Sequence, residues 1–265
     1  MRRIPSWPFC ALPSIGGAVL TLMLVNPVVL PAQQWTPEIK NLKVLPEDTP
    51  PRQVVGIMRG FAIGLGVRCT YCHVGEEGAP LSTYDFASDE KLTKRKARVM
   101  LGMVQDINGK YLTELPTEHA AHEHAATTRL QVRCSTCHRG QPRPLTLAQA
   151  LTAVIEEHGA DSAVTYYRGL RERFYGRDTY DFSENSLNGL GYQLLGNTRP
   201  QDAVAVFRLN VEMYPESANP YDSLADGLKA VGDSAGALEN YQKAFAIDPT
   251  MRGLQARIDS LLPTP

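Results

Sequence analysis

Apolar positions recur every three to four residues along most of the chain after residue 50, which predicts a mainly α protein. The first such stretch is residues 50–66. Pro51 suits a first helical turn, and Val54, Val55, Met58, Phe61 and Leu65 then line one face until Gly64 and Gly66 end it. A second helix is predicted over residues 89–111. Ser88 is its expected N-cap, Asp89 and Glu90 suit the positive end of its dipole, and Val99, Met100, Met103, Val104 and Ile107 form its apolar face. Pro142 and Pro144 close this region. Residues 147–157 and 162–174 then read as two amphipathic helices joined at Gly159.

From residue 187 the chain matches itself at a period of 34 residues: Leu187 with Tyr221, Leu190 with Leu224, Leu194 with Leu228, Ala203 with Ala237, Phe207 with Tyr241, and Pro215 with Pro249. Small residues Gly191, Ala203, Ala225, Ala237 and Ala244 let paired helices approach closely, and large ones fill the seam. Asn210 stands where the pattern otherwise places a small residue. Period and order resemble the tetratricopeptide repeat. Two repeats are few for an independent solenoid, because each buries its face against a neighbour; the helices of 147–174 and a final helix over 251–262 are expected to cap the stack. Such repeats either dock a protein or peptide partner or only support the N-terminal half and self-association. The expected organisation is a signal peptide or N-terminal anchor over residues 1–32, an N-terminal helical domain over 33–145, a helical connector or cap over 146–182, and two repeats plus a capping helix over 183–265.

The leader changes the picture of where the protein works. Arg2 and Arg3 precede an apolar run over residues 15–30, broken by Pro27, which is the layout of a secretory signal with Ala32 as the last residue removed. An uncleaved anchor is the alternative, since the run is nearly long enough to span a bilayer. Cys10 lacks the small residues that a lipid-attachment site needs before it, and reads as apolar filler. Both routes place the mature chain outside the cytoplasm, in the periplasm, soluble or held at the membrane surface. The formal net charge of -1 excludes a nucleic-acid binder or a polybasic membrane tether, and the 43% hydrophobic and 21% charged residues are ordinary for a globular chain.

Cysteine placement narrows the chemistry. Besides Cys10, the cysteines form two C-x-x-C pairs, each followed at once by histidine: Cys69-Thr70-Tyr71-Cys72-His73 and Cys134-Ser135-Thr136-Cys137-His138. Disulfides would suit an exported protein, and a four-cysteine zinc site uses the same pairs. Neither needs a histidine at that position after both pairs. Covalent haem attachment does: two thiols add to the vinyl groups and the adjacent imidazole reaches the iron. Two c-type haems are therefore expected, with Cys69, Cys72, Cys134 and Cys137 as thioether donors and His73 and His138 as proximal ligands.

The sixth ligand sets the chemistry, since methionine raises the potential and blocks substrates whereas an open position permits peroxide or oxygen reactions. Met58 lies eleven residues before Cys69 on an apolar face, and aligning Met58-Arg59-Gly60-Phe61 with Met100-Leu101-Gly102-Met103 makes Met100 its counterpart, with Met103 one turn along as the fallback. Methionine on such a face is otherwise core filler. His119, His122 and His124 form a cluster in an Ala-rich stretch, read as an exposed helix or loop, and His158 has no partner in view.

Residues from about 40 to 145 resemble the cytochrome c subunit of bacterial photosynthetic reaction centres. The carriers are Asn41-Leu42-Lys43-Val44-Leu45-Pro46, the Met58 stretch leading into Cys69-x-x-Cys72-His73, the run Arg98-Val99-Met100-Leu101-Gly102-Met103-Val104-Gln105-Asp106-Ile107-Asn108, and Cys134-x-x-Cys137-His138. The resemblance implies a mostly helical fold of helix–turn–haem units, in which each helix offers a methionine to the iron bound by the next motif. It also implies electron transfer, in that family to a photo-oxidised pigment pair. That subunit carries four haems and this chain has motifs for two, with a long spacing from Met100 to Cys134, so respiratory or other periplasmic electron flow is an equal expectation. The partners implied are redox proteins, among them a membrane reaction centre or respiratory complex. Two rivals stand beside the electron carrier: a dihaem peroxidase-like oxidoreductase with one open iron, and a docking protein whose haems are sensory or structural.

Overall fold

The α helices begin where the local chemistry starts them. The structure, a computed structural model, describes residues 38–115 and 130–262. The leader and the cluster of His119, His122 and His124 lie outside the described residues. Helix α1 (Pro51–Leu65) carries Pro at its first turn and stops at Gly66, whose φ of 65° is the left-handed conformation that ends helices. Helix α2 (Leu92–Asp106) runs straight into a single π turn, Ile107–Tyr111. It starts three residues later than the sequence pattern predicts. Ser88 does not cap it, because Asp89 is drawn away by the cations Lys43 and Arg98 and by the Asn41 amide, at 2.6, 2.7 and 3.0 Å. Helix α3 (Cys134–His138) is one short turn.

The C-terminal half is a stack of longer helices. Thr146 opens α4 (Leu147–His158) through a reciprocal box, its hydroxyl accepting from the Gln149 N–H while the Gln149 side chain accepts from its own N–H. Gly159, at φ 81°, turns the chain into α5 (Ala160–Phe174). Two helix pairs follow: α6 (Glu184–Gly196) with α7 (Pro200–Met213), and α8 (Ala218–Ala230) with α9 (Ser234–Ile247). Helix α10 (Leu254–Leu261) closes the chain on α9 and is shorter than the predicted 251–262 because Gly253 in the left-handed region begins it. Helix α4 packs on α5, the helices from α6 to α10 each pack on their successor, and the stack is joined by α4 against α6 and α5 against α7. The described residues contain no strand, only an isolated antiparallel bridge between Val74 and Asp85.

The apolar core lies wholly in this half, from Leu147 to Ile258. Of the residues that match at the 34-residue period, Leu190 with Leu224, Leu194 with Leu228, Ala203 with Ala237 and Phe207 with Tyr241 are buried in both copies, while Pro215 and Pro249 are exposed in both. Asn210 is fully buried as well, and its side-chain amide donates to the Glu184 carbonyl at 3.2 Å, so a polar side chain serves at the irregular position by tying α7 to the start of α6. Aromatic side chains seal the passage from α5 to α6: Phe174 meets Tyr180 at 5.6 Å and Tyr167 meets Phe182 at 5.7 Å, both edge to face.

Close approach in the first pair depends on Gly191. A Cβ there would fall 2.2 Å from the buried Phe207 ring, whereas one on Gly189 of the same helix would meet nothing within 4 Å. Gly191→Ala is expected to cost about 1–3 kcal/mol through overpacking, and Gly189→Ala to be neutral or to stabilise by about 0.5–1 kcal/mol. Chemical denaturation followed by circular dichroism measures both, and equal midpoints for the two variants would show that the ring contact does not limit the packing.

Candidate haem-binding sites

The first motif is held by the segment that follows it. Cys69–Tyr71 form a 3-10 turn, and the His73 N–H donates back to the Cys69 carbonyl at 3.0 Å. The carbonyls of Thr70 and Tyr71 accept from the Lys91 ammonium and the Thr93 hydroxyl at the start of α2. The Val74–Asp85 bridge returns the chain so that Phe86 meets the His73 ring edge to face at 4.9 Å. Lys94, the one buried residue of α2, then closes this loop: its ammonium donates to three successive carbonyls, of Phe86, Ala87 and Ser88, at 2.8, 3.0 and 2.6 Å. Asp89 lies 3.3 Å from it and also joins Lys43 and Arg98, so its carboxyl is held well below the usual range, by the Lys43 hydrogen bond first. Asn41 completes the brace with bonds to Ala87, Asp89 and Arg98.

His73 responds to this environment. Burial, and then the Lys94 charge, push its imidazole down to about 4, so it is neutral at pH 7, the form that binds a metal. Its Nδ1 is buried with no hydrogen bond of normal geometry.

The second motif is arranged differently. The Arg133 N–H donates to the Thr136 hydroxyl at 3.0 Å and starts α3. Just upstream, Asn108 on the π turn both donates to and accepts from the Val132 backbone, each at 2.8 Å. His138 Nδ1 lies 2.8 Å from the Gln141 carbonyl, which can only accept, so the proton sits on Nδ1 and Nε2 is left with its lone pair. The end of α1 rests on this motif. The Gly140 N–H donates to the Gly64 carbonyl at 2.9 Å, and a Cβ on Gly66 would come within 2.1 Å of the Gly140 carbonyl.

All four thiols are unpaired. Burial pushes the Cys72 and Cys134 thiols up, which is opposite to the activated thiolates of dithiol redox sites. Among the described residues no three His, Cys, Asp or Glu side chains gather as a metal site, so the two C-x-x-C pairs do not form a shared four-cysteine zinc centre.

The methionines lie on the helices beside these motifs. Met58 is half-buried on α1, and Met100 and Met103 are 40% and 43% exposed on α2. They belong to a wider uncovered apolar surface: Ile63, Val99, Tyr111 and Leu130 are 64–76% exposed, and among the described residues before 147 Val54 is the only buried apolar side chain. Donors and surface together fit covalently held haem, since thiol pairs, adjacent imidazoles and flanking methionines adjoin apolar faces that a porphyrin would cover. His158 is on the surface, 3.5 Å from Glu157. Sequence reading missed Lys94, Asn108 and Gln141. Lys94 sits in the run Lys94-Arg95-Lys96, which reads as a solvated face, and the other two act through backbone partners that carry no sequence signal.

Residues 28–156 match the model of the photosynthetic reaction centre cytochrome C subunit family. The chain is 34% identical over 97 residues to the photosynthetic reaction center cytochrome c subunit of Rubrivivax gelatinosus, covering 36% of this chain and 24% of that relative. It is 32% identical over 124 residues to cytochrome c-554 of Chloroflexus aurantiacus, covering 45% of this chain and 26% of that one. The chain therefore spans about a quarter of the length of these curated relatives. The family match spans both C-x-x-C-H motifs.

The uneven core predicts uneven stability. Protein made without haem attachment is expected to be cut by limited proteolysis within residues 38–115 and 130–146 while residues 147–262 resist, and protein made with haem attachment to resist along both halves. N-terminal sequencing of the fragments reads this, and equal resistance of the two preparations would contradict it.

Proposed function

We propose that the chain is an exported electron-transfer protein with two covalently attached c-type haems, a short relative of the reaction-centre cytochromes joined to tetratricopeptide-type repeats. One conjunction carries the reading: two C-x-x-C-H motifs with unpaired thiols stand in a half whose only buried apolar side chain among the described residues is Val54. Cys69 and Cys72 hold one haem and Cys134 and Cys137 the other, with His73 and His138 as proximal ligands. Met58 and Met100 are the sixth ligands, and Met103 is the second choice beside Met100.

When bound, each haem supplies a one-electron iron couple. The chain's own residues keep the His73 imidazole neutral, orient His138 through the Gln141 carbonyl, and limit the chemistry to electron transfer by filling the sixth position. Around the first motif Lys43, Lys94 and Arg98 outnumber Asp89. Their excess positive charge favours the reduced, less positive state at His73 and raises that potential. Nothing in the charge of -1 suits nucleic acid. The partners are redox proteins, of the reaction-centre kind named by one relative or a respiratory complex, met in the periplasm. The repeats supply a surface for a protein or peptide.

Two measurements test this. Mass spectrometry of protein secreted by a host with c-type maturation is expected to show two haem adducts, none in Cys69→Ala/Cys72→Ala/Cys134→Ala/Cys137→Ala. Met58→Ala is expected to remove the methionine signature of one haem from the optical spectrum and leave the other. Colourless wild-type protein sinks the haem reading. Carbon monoxide binding by the reduced native protein would replace the carrier with a peroxidase-like oxidoreductase.

A further inference from the structure

The loop that orients His138 is gripped from two sides. Its Gln141 carbonyl accepts from His138 Nδ1, and its Gly140 N–H is bound to the Gly64 carbonyl at the end of α1. The second grip comes from the C-terminal half. The Thr179 hydroxyl donates to the Arg139 carbonyl at 2.9 Å, across 40 positions of sequence, and Arg139 reaches the neighbouring Asp178 carbonyl at 3.5 Å. Arg139 has a φ of 48°, a conformation that a residue with a side chain holds only where its surroundings enforce it. Thr179 is itself immobilised: the next residue, Tyr180, is buried in the core, edge to face with Phe174 and Phe182, and lies against the Gln141 side chain.

We propose that Thr179 is a positioning residue for the second haem, fixing through Arg139 the carbonyl that orients and polarises His138. A carbonyl held close to Nδ1–H makes the imidazole a stronger donor at Nε2 and favours ferric iron. Thr179 thereby lowers the potential of the second haem, and the helical stack that carries Thr179 is tied to the redox site rather than merely appended to it. The inference rests on the reading of His138 as an iron ligand.

Redox titration of the intact, haem-loaded protein tests it. The wave of the second haem is identified as the one kept by Cys69→Ala/Cys72→Ala. In Thr179→Val that wave is expected to rise by about threefold in its reduction equilibrium, roughly 30 mV at 59 mV per tenfold, because the bond from His138 to the Gln141 carbonyl is weakened rather than lost. The wave of the first haem stays in place, and Thr179→Ser restores the wild-type value. Where the valine variant is unstable, Thr179→Ala removes the hydroxyl without added bulk and is read in the same way. Two unmoved waves, two waves moving together, or a serine variant as shifted as the valine one overturns the inference. A wild-type protein lacking the second wave overturns the haem reading instead.

Discussion

The described residues of the N-terminal half bury almost none of their apolar surface. Before residue 147 they place Val54 inside and leave Ile63, Val99, Met100 and Met103 largely uncovered, while the one buried residue of α2 is a lysine. A folded segment of this length ordinarily assembles a contiguous apolar cluster, because burial of that surface offsets chain entropy. Here polar links do much of the local work: Lys94 on three carbonyls, Asn108 on Val132, and Asp89 among Lys43, Lys94 and Arg98. Such links set direction well and contribute little net stability each. The constraint therefore points outward, to a large apolar group shared between the helices and anchored where the thiols are.

The helices are placed to serve two motifs at once. Helix α1 leads into the first motif, yet its Gly64 and Gly66 end packs on the second. Helix α2 starts on the carbonyls of the first motif, through Lys91 and Thr93, and its π turn ends on Val132, two residues before Cys134. Each motif is thus braced by both helices, so the two sites cannot move independently. A fixed relation between the two motifs suits the proposed electron transfer, and a pair of isolated binding loops would not give it.

Much of this was legible in the sequence, for identifiable reasons. The helices of the C-terminal half show in the 3.6-residue pattern because their apolar faces meet protein; Leu187, Leu190 and Leu194 are all buried. The two C-x-x-C-H motifs stand out because the proposed haem attachment needs that spacing. The start of α2 was not. Ser88, Asp89 and Glu90 look like a cap and first turn, but Asp89 finds partners 46 to 48 residues away in Lys43 and Asn41, and tertiary pairing outweighs a local preference worth about 1 kcal/mol. Lys94 was hidden by its charged neighbours, and the bond from Thr179 to Arg139 joins a side chain to a backbone carbonyl, so no residue pattern announces it.

The two halves differ in what stabilises them, and the seam between them follows from that difference. The stack from α4 to α10 owns a continuous core and needs no ligand to explain it. The N-terminal half owns thiol and imidazole donors and polar braces. A rigid, self-sufficient body beside a cofactor-dependent one can impose geometry on it, whereas the reverse is weak, since a loop held only by its own turn gives way first. The contacts run in that direction: Thr179 and Tyr180, fixed by the aromatic packing at Phe174 and Phe182, reach the loop of Arg139 and Gln141 behind His138. A partner that altered the helical stack would thereby act on the second motif through this seam, while the first motif, braced by α2 and the segment around Asn41, would feel it only by way of α1.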